Sequence, residues 1–408
     1  MLAVSDAAWI DLDEAGNQVA IGLANGSGRP ELEATLGRHL QPRETLLGRV
    51  RPVEGGLANA VSFNGVAQEI PWCTYGFSAE YNGVDVMLTA SHRTNRIYRA
   101  DGSPTVFYQD SVKGADQIGS EYYDPEASIG CASPQGYYLC GRYSDAAMIE
   151  YDAGVNFDLG FIARTSFRST NFGFDGSITI DSQHPQFRIT ASQDYPVAGQ
   201  QVDKVGLRSG WTSGAVLQDG TCVDVLAIGG PGDDSTTLYL RACTYRATYQ
   251  SRNHDSGSPV FIWPGGDDVT LVGIHWGNNE AEGYSDFSPM GGVRQDFGSM
   301  TTERPHLSVR IDGTNPVQTT GTYTYTAYPS GGLDPSNYTY QWSVKWLANG
   351  DSVGLGADQT QSVYVGGSGD FEMLVTVTSG ADVVNDMDYV TNEIGGGGGE
   401  RPQKAGPE

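Results

Sequence analysis

Asn253-His254-Asp255-Ser256-Gly257-Ser258-Pro259 sets a serine between an acid and a glycine on a tight turn, directly ahead of the apolar run Val260-Phe261-Ile262-Trp263. A nucleophilic serine needs such a turn. Its hydroxyl must project while nearby N–H groups converge on one point, where an oxyanion can form. Asp-Ser-Gly also serves as an ordinary hairpin turn, so it gains weight only from its partners. A serine hydroxyl is a weak nucleophile until a base takes its proton, and histidine is the usual base. Of the six histidines, His39, His92, His184, His254, His275 and His306, only His92 ends a strand-like apolar run, residues 84–92. A side chain there can reach a cleft while the strand stays anchored; the alternative is a polar residue where the strand exits to solvent. The third group should be a carboxylate that fixes the imidazole tautomer. Asp145 opens Ala146-Ala147-Met148-Ile149-Glu150-Tyr151, which suits a buried strand, and an acid at that mouth needs a hydrogen-bond partner. Asp152, flanking the same strand, is the second candidate; a plain strand-start acid is the alternative.

In the order His92, Asp145, Ser256 these segments resemble the motifs of chymotrypsin-fold serine proteases. Thr89-Ala90-Ser91-His92 is similar to their Thr-Ala-x-His. Asp145-Ala146-Ala147 is similar to Asp-x-Ala, and Asp255-Ser256-Gly257-Ser258-Pro259 to Asp-Ser-Gly-Gly-Pro. Gly273-Ile274-His275-Trp276-Gly277 resembles the segment lining the primary specificity pocket. The resemblance covers roughly residues 50–300 and fits the bacterial branch that includes the streptogrisins and α-lytic protease. There, Arg208-Ser209-Gly210-Trp211-Thr212-Ser213-Gly214 is similar to an Arg-Ser-Gly-x-Thr-Thr-Gly segment.

The resemblance implies a serine endopeptidase acting on proteins or peptides. His92 would be base then acid, Asp145 would orient it, and Ser256 would attack. Backbone N–H groups of Ser256 and His254 would bind the oxyanion. Arg208 would pair with Asp255, since a buried acid without a cation is costly; the alternative is a solvated loop arginine. Gln250 stands where trypsin-like members carry an aspartate, which argues against a preference for Arg or Lys. Ile274, His275, Trp276 and Gly277 would line the pocket with it. Some bacterial members with histidine at the position of His275 prefer glutamate. No metal or organic cofactor is implied, because no Cys/His cluster has ligand spacing.

Two departures stand out. The family has glycine at position 254, because the backbone turns there without a Cβ clash. His254 either swings the donor away and weakens catalysis, or is tolerated with its imidazole near the leaving group. Trp72-Cys73-Thr74-Tyr75-Gly76-Phe77 resembles the family's Cys-Thr-x-Gly-Phe strand, but the partner position after the catalytic histidine is Arg93. With five cysteines one is odd. Cys131 with Cys140 and Cys222 with Cys243 are the expected disulfides. Cys73 is then a buried thiol, with no base placed to activate it.

These residues need rigid elements to hold them. Fifty-five glycines and 22 tyrosines, with short Val/Thr/Tyr runs between turns, predict an all-β protein. Residues 53–303 suit a chymotrypsin-like double β-barrel. His92 and Asp145 would come from the first barrel and Ser256 from the second. Residues 1–52 read as a short α+β segment: a hairpin around residues 13–17, then a helix at 30–40 with Leu32, Leu36 and Leu40 on one face. It is either a remnant of a pro-segment or an integral extension. Asp11 and Asp13 do not make a calcium loop, since Ala15 and Gly22 occupy ligand positions. Residues 304–394 alternate as in an immunoglobulin-like β-sandwich, with Trp342 as its core tryptophan and no disulfide. It would serve as a spacer or bind an unknown ligand. Residues 395–408 are a flexible Gly-rich tail.

The net charge of −25, from 49 acidic and 24 basic residues, argues against phosphate-mediated nucleic-acid binding. No stretch approaches a membrane helix. Few lysines, paired cysteines and an acidic surface suit a secreted protein. The start at Met1 has neither a basic n-region nor an apolar h-region, so an export signal is either missing here or lies upstream. A monomer is expected. A rival reading is a catalytically inactive protease fold that acts as an extracellular binding or adhesion module. A lipase-type esterase is disfavoured, because histidine at 254 breaks the Gly-x-Ser-x-Gly elbow.

Overall fold

A computed structural model describes residues 7–13, 18–23, 53–63, 66–67, 73–94, 105–109, 117–127, 129–132, 138–217, 225–228, 237–241 and 244–395. The regular structure of the described chain is almost entirely strand. Its helical parts are the α-helix Met290–Phe297 and one 3-10 turn, Ser91–Arg93. The chain divides into two compact units, Met1–Glu303 and Arg304–Glu408.

Two curled sheets make up most of the first unit. In one, Ala58–Phe63, Val106–Tyr108, Gln117–Tyr123, Ala147–Tyr151, Val84–Thr89 and Phe77–Tyr81 pair in that order, all antiparallel. The last strand follows Cys73–Thr74, which pairs back onto Ala58 and Asn59, so the sheet closes on itself. Phe77, Leu88, Phe107, Ile118 and Met148 are fully buried there. Each such side chain contributes about 1.5–3 kcal/mol by leaving water.

The second sheet runs Gly210–Ala215, Gln201–Gly206, Pro259–Ile262, Asp268–Asn279, Tyr284–Pro289 and Tyr245–Ala247. A bridge between Val216 and Ala247 closes this ring too. Val202, Tyr245, Val260, Val272 and Phe287 form its core. Closure removes the unpaired edges that a curled sheet would otherwise expose. The fold is thus an all-β double barrel, followed by a separate β domain.

In the second unit, Ser308–Gly313, Gly321–Ser330 and Thr360–Val365 form one sheet. Ser352–Gly356, Tyr338–Trp346, Phe371–Ser379 and Asp382–Val390 form another. Strand alternation puts Phe371, Met373, Val375 and Val377 inward, around Trp342 and Tyr325. The indole N–H of Trp342 donates to the Asp358 carbonyl at 2.9 Å.

The N-terminal hairpin pairs Ala7–Asp13 with Gln18–Leu23. The helix expected at 30–40 and the tail beyond 395 lie outside the described residues. No described helix is long and apolar enough to cross a membrane.

Candidate active site

The strand Val84–Thr89 leads into the 3-10 turn that carries His92. A buried acid, Asp124, braces this turn. Ser91 Oγ donates to it at 2.7 Å, and Arg142 forms an ion pair with it. Burial pushes the Asp124 carboxyl up to about 6, against the pull of Arg142 and Ser91. Across the same region, Asp296 of the helix accepts the Ser144 N–H at 2.7 Å and the Tyr143 N–H at 3.2 Å. That fixes the approach to Asp145, whose own N–H donates to Ser288 Oγ at 2.9 Å.

Asp145 is fully buried. Its Oδ1 accepts the backbone N–H of His92 at 3.1 Å, and its Oδ2 is bonded to His92 Nδ1. His92 Nε2 lies 3.0 Å from Ser256 Oγ. A proton on Nδ1 facing the carboxylate leaves Nε2 as an acceptor for the serine proton. Asp152, the other candidate acid, follows the far end of its strand and accepts from Gln117 at 2.8 Å.

The serine turn uses glycine where geometry demands it. Gly257 has φ +95°, and a Cβ there would lie 2.2 Å from the Thr74 carbonyl oxygen. Position 254 needs the same half of conformational space, and His254 adopts it, with φ +79°. That conformation costs a non-glycine residue about 1–2 kcal/mol. Thr74 Oγ1 donates to the His254 carbonyl at 3.1 Å and holds the peptide. The N–H groups of Asp255, Gly257 and Ser258 each donate to a carbonyl within the fold. The Ser256 N–H has no acceptor among the described residues.

The ion pair beneath the turn differs from expectation. The cation on Asp255 is Lys204, with Nζ 2.9 Å from Oδ2 and both side chains fully buried. Arg208 is exposed and contributes its backbone N–H instead, 2.8 Å from Oδ1. Ser209 N–H and Oγ and the Arg252 N–H complete the cage. Burial alone would raise this carboxyl; Lys204 and Ser209 overcome it and hold it at about 2. The arginine backbone serves because Lys204, on the strand Gln201–Gly206, reaches the acid from inside the barrel wall. The signal in the sequence was a lysine amid the apolar residues of a strand, Val202-Asp203-Lys204-Val205.

The expected pocket residues separate into two groups. Ile274 is a core residue, fully buried in the large apolar cluster, and does not line a cleft. Gln250 is also buried; its Oε1 accepts from Gly173 at 2.8 Å and its Nε2 donates to the Ser251 carbonyl. Its amide is occupied within the fold. His275 is 2 % exposed and bonded through Nδ1 to the Tyr249 hydroxyl at 3.1 Å. Burial, with the Lys204 charge, pushes it down to about 3, so it is neutral around pH 7. It therefore brings no positive charge for a glutamate. Trp276 and Gly277 do stand at the nucleophile. A register shift between His275 and Gly277 bulges the strand, and the Trp276 carbonyl accepts from Ser256 Oγ at 3.3 Å. A Cβ on Gly277 would meet nothing within 4 Å, so open space adjoins it.

Sequence reasoning missed two arginines. Arg252 pairs with Asp175 at 3.0 Å beside this segment. Arg93 Nη2 donates to Ser256 Oγ at 3.0 Å. Position 93 was visible as the residue after the histidine, but nothing in the pattern aimed it at the serine. Cys73 is buried. The strands carrying Cys131 and Cys140 pair antiparallel. Those two side chains, and Cys222 and Cys243 altogether, lie outside the described residues.

No protein-family profile matches the chain, and no curated protein matches it. Among solved structures, one similar chain is a glutamic acid-specific serine protease described as using a histidine triad in substrate binding. It is 20% identical with a TM-score of 0.38, and the match covers 61% of this chain and 100% of that one. Another is the chymotrypsin of Cellulomonas bogoriensis, 20% identical with a TM-score of 0.37, covering 61% of this chain and 97% of that one.

Proposed function

We propose that this chain is a secreted serine endopeptidase of chymotrypsin type, cleaving peptide bonds through an acyl-enzyme. One observation carries the reading: a buried carboxylate on His92 Nδ1 and the Ser256 hydroxyl 3.0 Å from Nε2. In this reading Nε2 takes the serine proton as Oγ attacks the scissile carbonyl carbon. Asp145 stabilises the imidazolium that forms. The oxyanion is met by the N–H groups of Ser256 and His254. His92 then protonates the leaving amine, and water repeats the sequence in reverse on the ester. The space beside Gly277 takes the side chain that precedes the cleaved bond. Asp124, Asp296 and the Lys204–Asp255 pair hold these groups without touching substrate. Secretion is proposed on composition: 24 basic against 49 acidic residues, with cysteines available to pair. The second unit is proposed to be an immunoglobulin-like spacer or binding module.

The test is hydrolysis of a fluorogenic protein substrate by the wild type, Ser256→Ala and His92→Ala. The expected result is turnover by the wild type that falls at least about a thousandfold in either variant. Equal turnover in wild type and Ser256→Ala would remove the proposal. A folded wild type with no turnover would favour the binding-module reading.

A further inference from the structure

We propose that Arg93 is a positioning residue, which holds the Ser256 hydroxyl and, as a fixed cation, keeps His92 neutral to lower pH. The purpose assigned to it rests on the hydrolase reading above. The geometry does not. Arg93 follows His92 on the same 3-10 turn and is half-buried. Its Nη2 lies 3.0 Å from Ser256 Oγ, as does His92 Nε2. A hydroxyl oxygen has one proton and two lone pairs. The Arg93 N–H takes one lone pair. The proton goes to His92 Nε2, with the Trp276 carbonyl at 3.3 Å as its competitor. One lone pair is left for attack. The arginine thus fixes the direction of attack without blocking it.

The same contact has an electrostatic consequence. Two nitrogens that each lie 3.0 Å from one oxygen are no more than about 6 Å apart. A guanidinium never loses its charge in this range of pH. At about 6 Å, it disfavours an imidazolium by about half a pH unit in water and about two at the effective dielectric of a protein surface. The charged or titratable groups that face His92 include Asp145, Arg93 and, on the strand Asp268–Asn279, His275, with the Lys204–Asp255 pair beneath the serine turn close to charge balance. Asp124 stands behind Asp145. Asp145 favours the imidazolium and Arg93 opposes it, while neutral His275 adds no charge. Arg93 thereby offsets part of the basicity that the buried acid confers, and the free base persists into more acid solution.

The experiment is an NMR titration of the full chain with nitrogen-labelled histidine, in wild type, Arg93→Gln and Arg93→Lys. The His92 signals are assigned from a His92→Gln spectrum. The His92 midpoint is expected to rise by about one pH unit in Arg93→Gln, which keeps a donor but loses the charge. Arg93→Lys should bring it back toward the wild-type value. The acid limb of the fluorophosphonate-labelling rate should move with it. A His92 midpoint that is the same in wild type and Arg93→Gln would overturn the proposal, as would a rise that Arg93→Lys fails to reverse. The titration needs no turnover. A chain that never labels at Ser256 defeats the hydrolase reading alone, whereas an unmoved His92 defeats the role of Arg93 alone.

Discussion

Lys204→Met removes the ammonium beneath the serine turn and keeps most of the side chain's length. It leaves Asp255 as a buried carboxylate without its cation, although Ser209 Oγ and the N–H groups of Arg208, Ser209 and Arg252 still donate to it. Breaking a buried pair from one side costs about 3–5 kcal/mol, and the surviving donors place this case near the lower end, at about 3 kcal/mol. With a urea dependence of about 3 kcal/mol per molar, the unfolding midpoint of the first unit should fall by about 1 M. Equilibrium urea unfolding of the full chain, followed by tryptophan fluorescence, reads this. Lys204→Met/Asp255→Asn should regain at least about 1 kcal/mol, since no charge is then stranded. Arg208→Ala keeps the main-chain donor and should change stability by under about 0.5 kcal/mol. Acid adds a second reading. The Asp255 carboxyl is held at about 2 in the folded chain, below the 3.8 of a free carboxyl. Its stabilisation is therefore complete above pH 3.8 and is lost as pH falls through about 2, a contribution of about 2 kcal/mol. Lys204→Met should lose most of this acid-dependent part. The reasoning is refuted if Lys204→Met unfolds at the wild-type midpoint, or if Arg208→Ala costs as much as Lys204→Met.

Other substitutions probe the remaining parts. Gly257→Ala drives a Cβ into the Thr74 carbonyl and Thr89 Oγ1 at a left-handed φ, and should cost about 2–4 kcal/mol by urea unfolding. His254→Gly relieves the backbone at φ +79° and should leave stability equal or up to about 1 kcal/mol higher, with labelling of Ser256 no slower. A drop in labelling would instead give the imidazole itself a role. Asp145→Asn should slow fluorophosphonate labelling by about four orders of magnitude while the fold survives, because the amide selects the wrong imidazole tautomer. Trp342→Ala empties the centre of the second unit and should destabilise it by about 3–5 kcal/mol, read as an earlier thermal transition by calorimetry.

What could be read from the sequence follows the range of each interaction. His92, Asp145 and Ser256 were visible because each sits at the end of a strand or on a turn, where local pattern and chemistry coincide. The alternation from Phe371 to Ser379 carries its own burial pattern, and Trp342 stands out as an aromatic on the neighbouring strand Tyr338–Trp346. Lys204 was hidden, because a charged residue inside a strand points nowhere until the barrel closes and brings Asp255 to it. Arg93 was hidden for the same reason: its target lies 163 residues away. Ile274 and Gln250 are expected in the pocket from the resemblance of their segments, yet strand pairing sends the first into the core and a hydrogen bond from the Gly173 N–H holds the amide of the second within the fold. Histidine at 254 argued against the turn on steric grounds. The backbone adopts the left-handed conformation regardless, because Gly257, Thr74 and the Asp255 cage on either side hold the peptide in place.

The measurement that bears most directly on the account is labelling of the purified full chain with a fluorophosphonate, with the adduct mapped by mass spectrometry in wild type and Ser256→Ala. One adduct is expected, on Ser256, absent from Ser256→Ala and much slower to form in His92→Ala. A folded wild type that stays unlabelled, or an adduct that persists in Ser256→Ala, would contradict it.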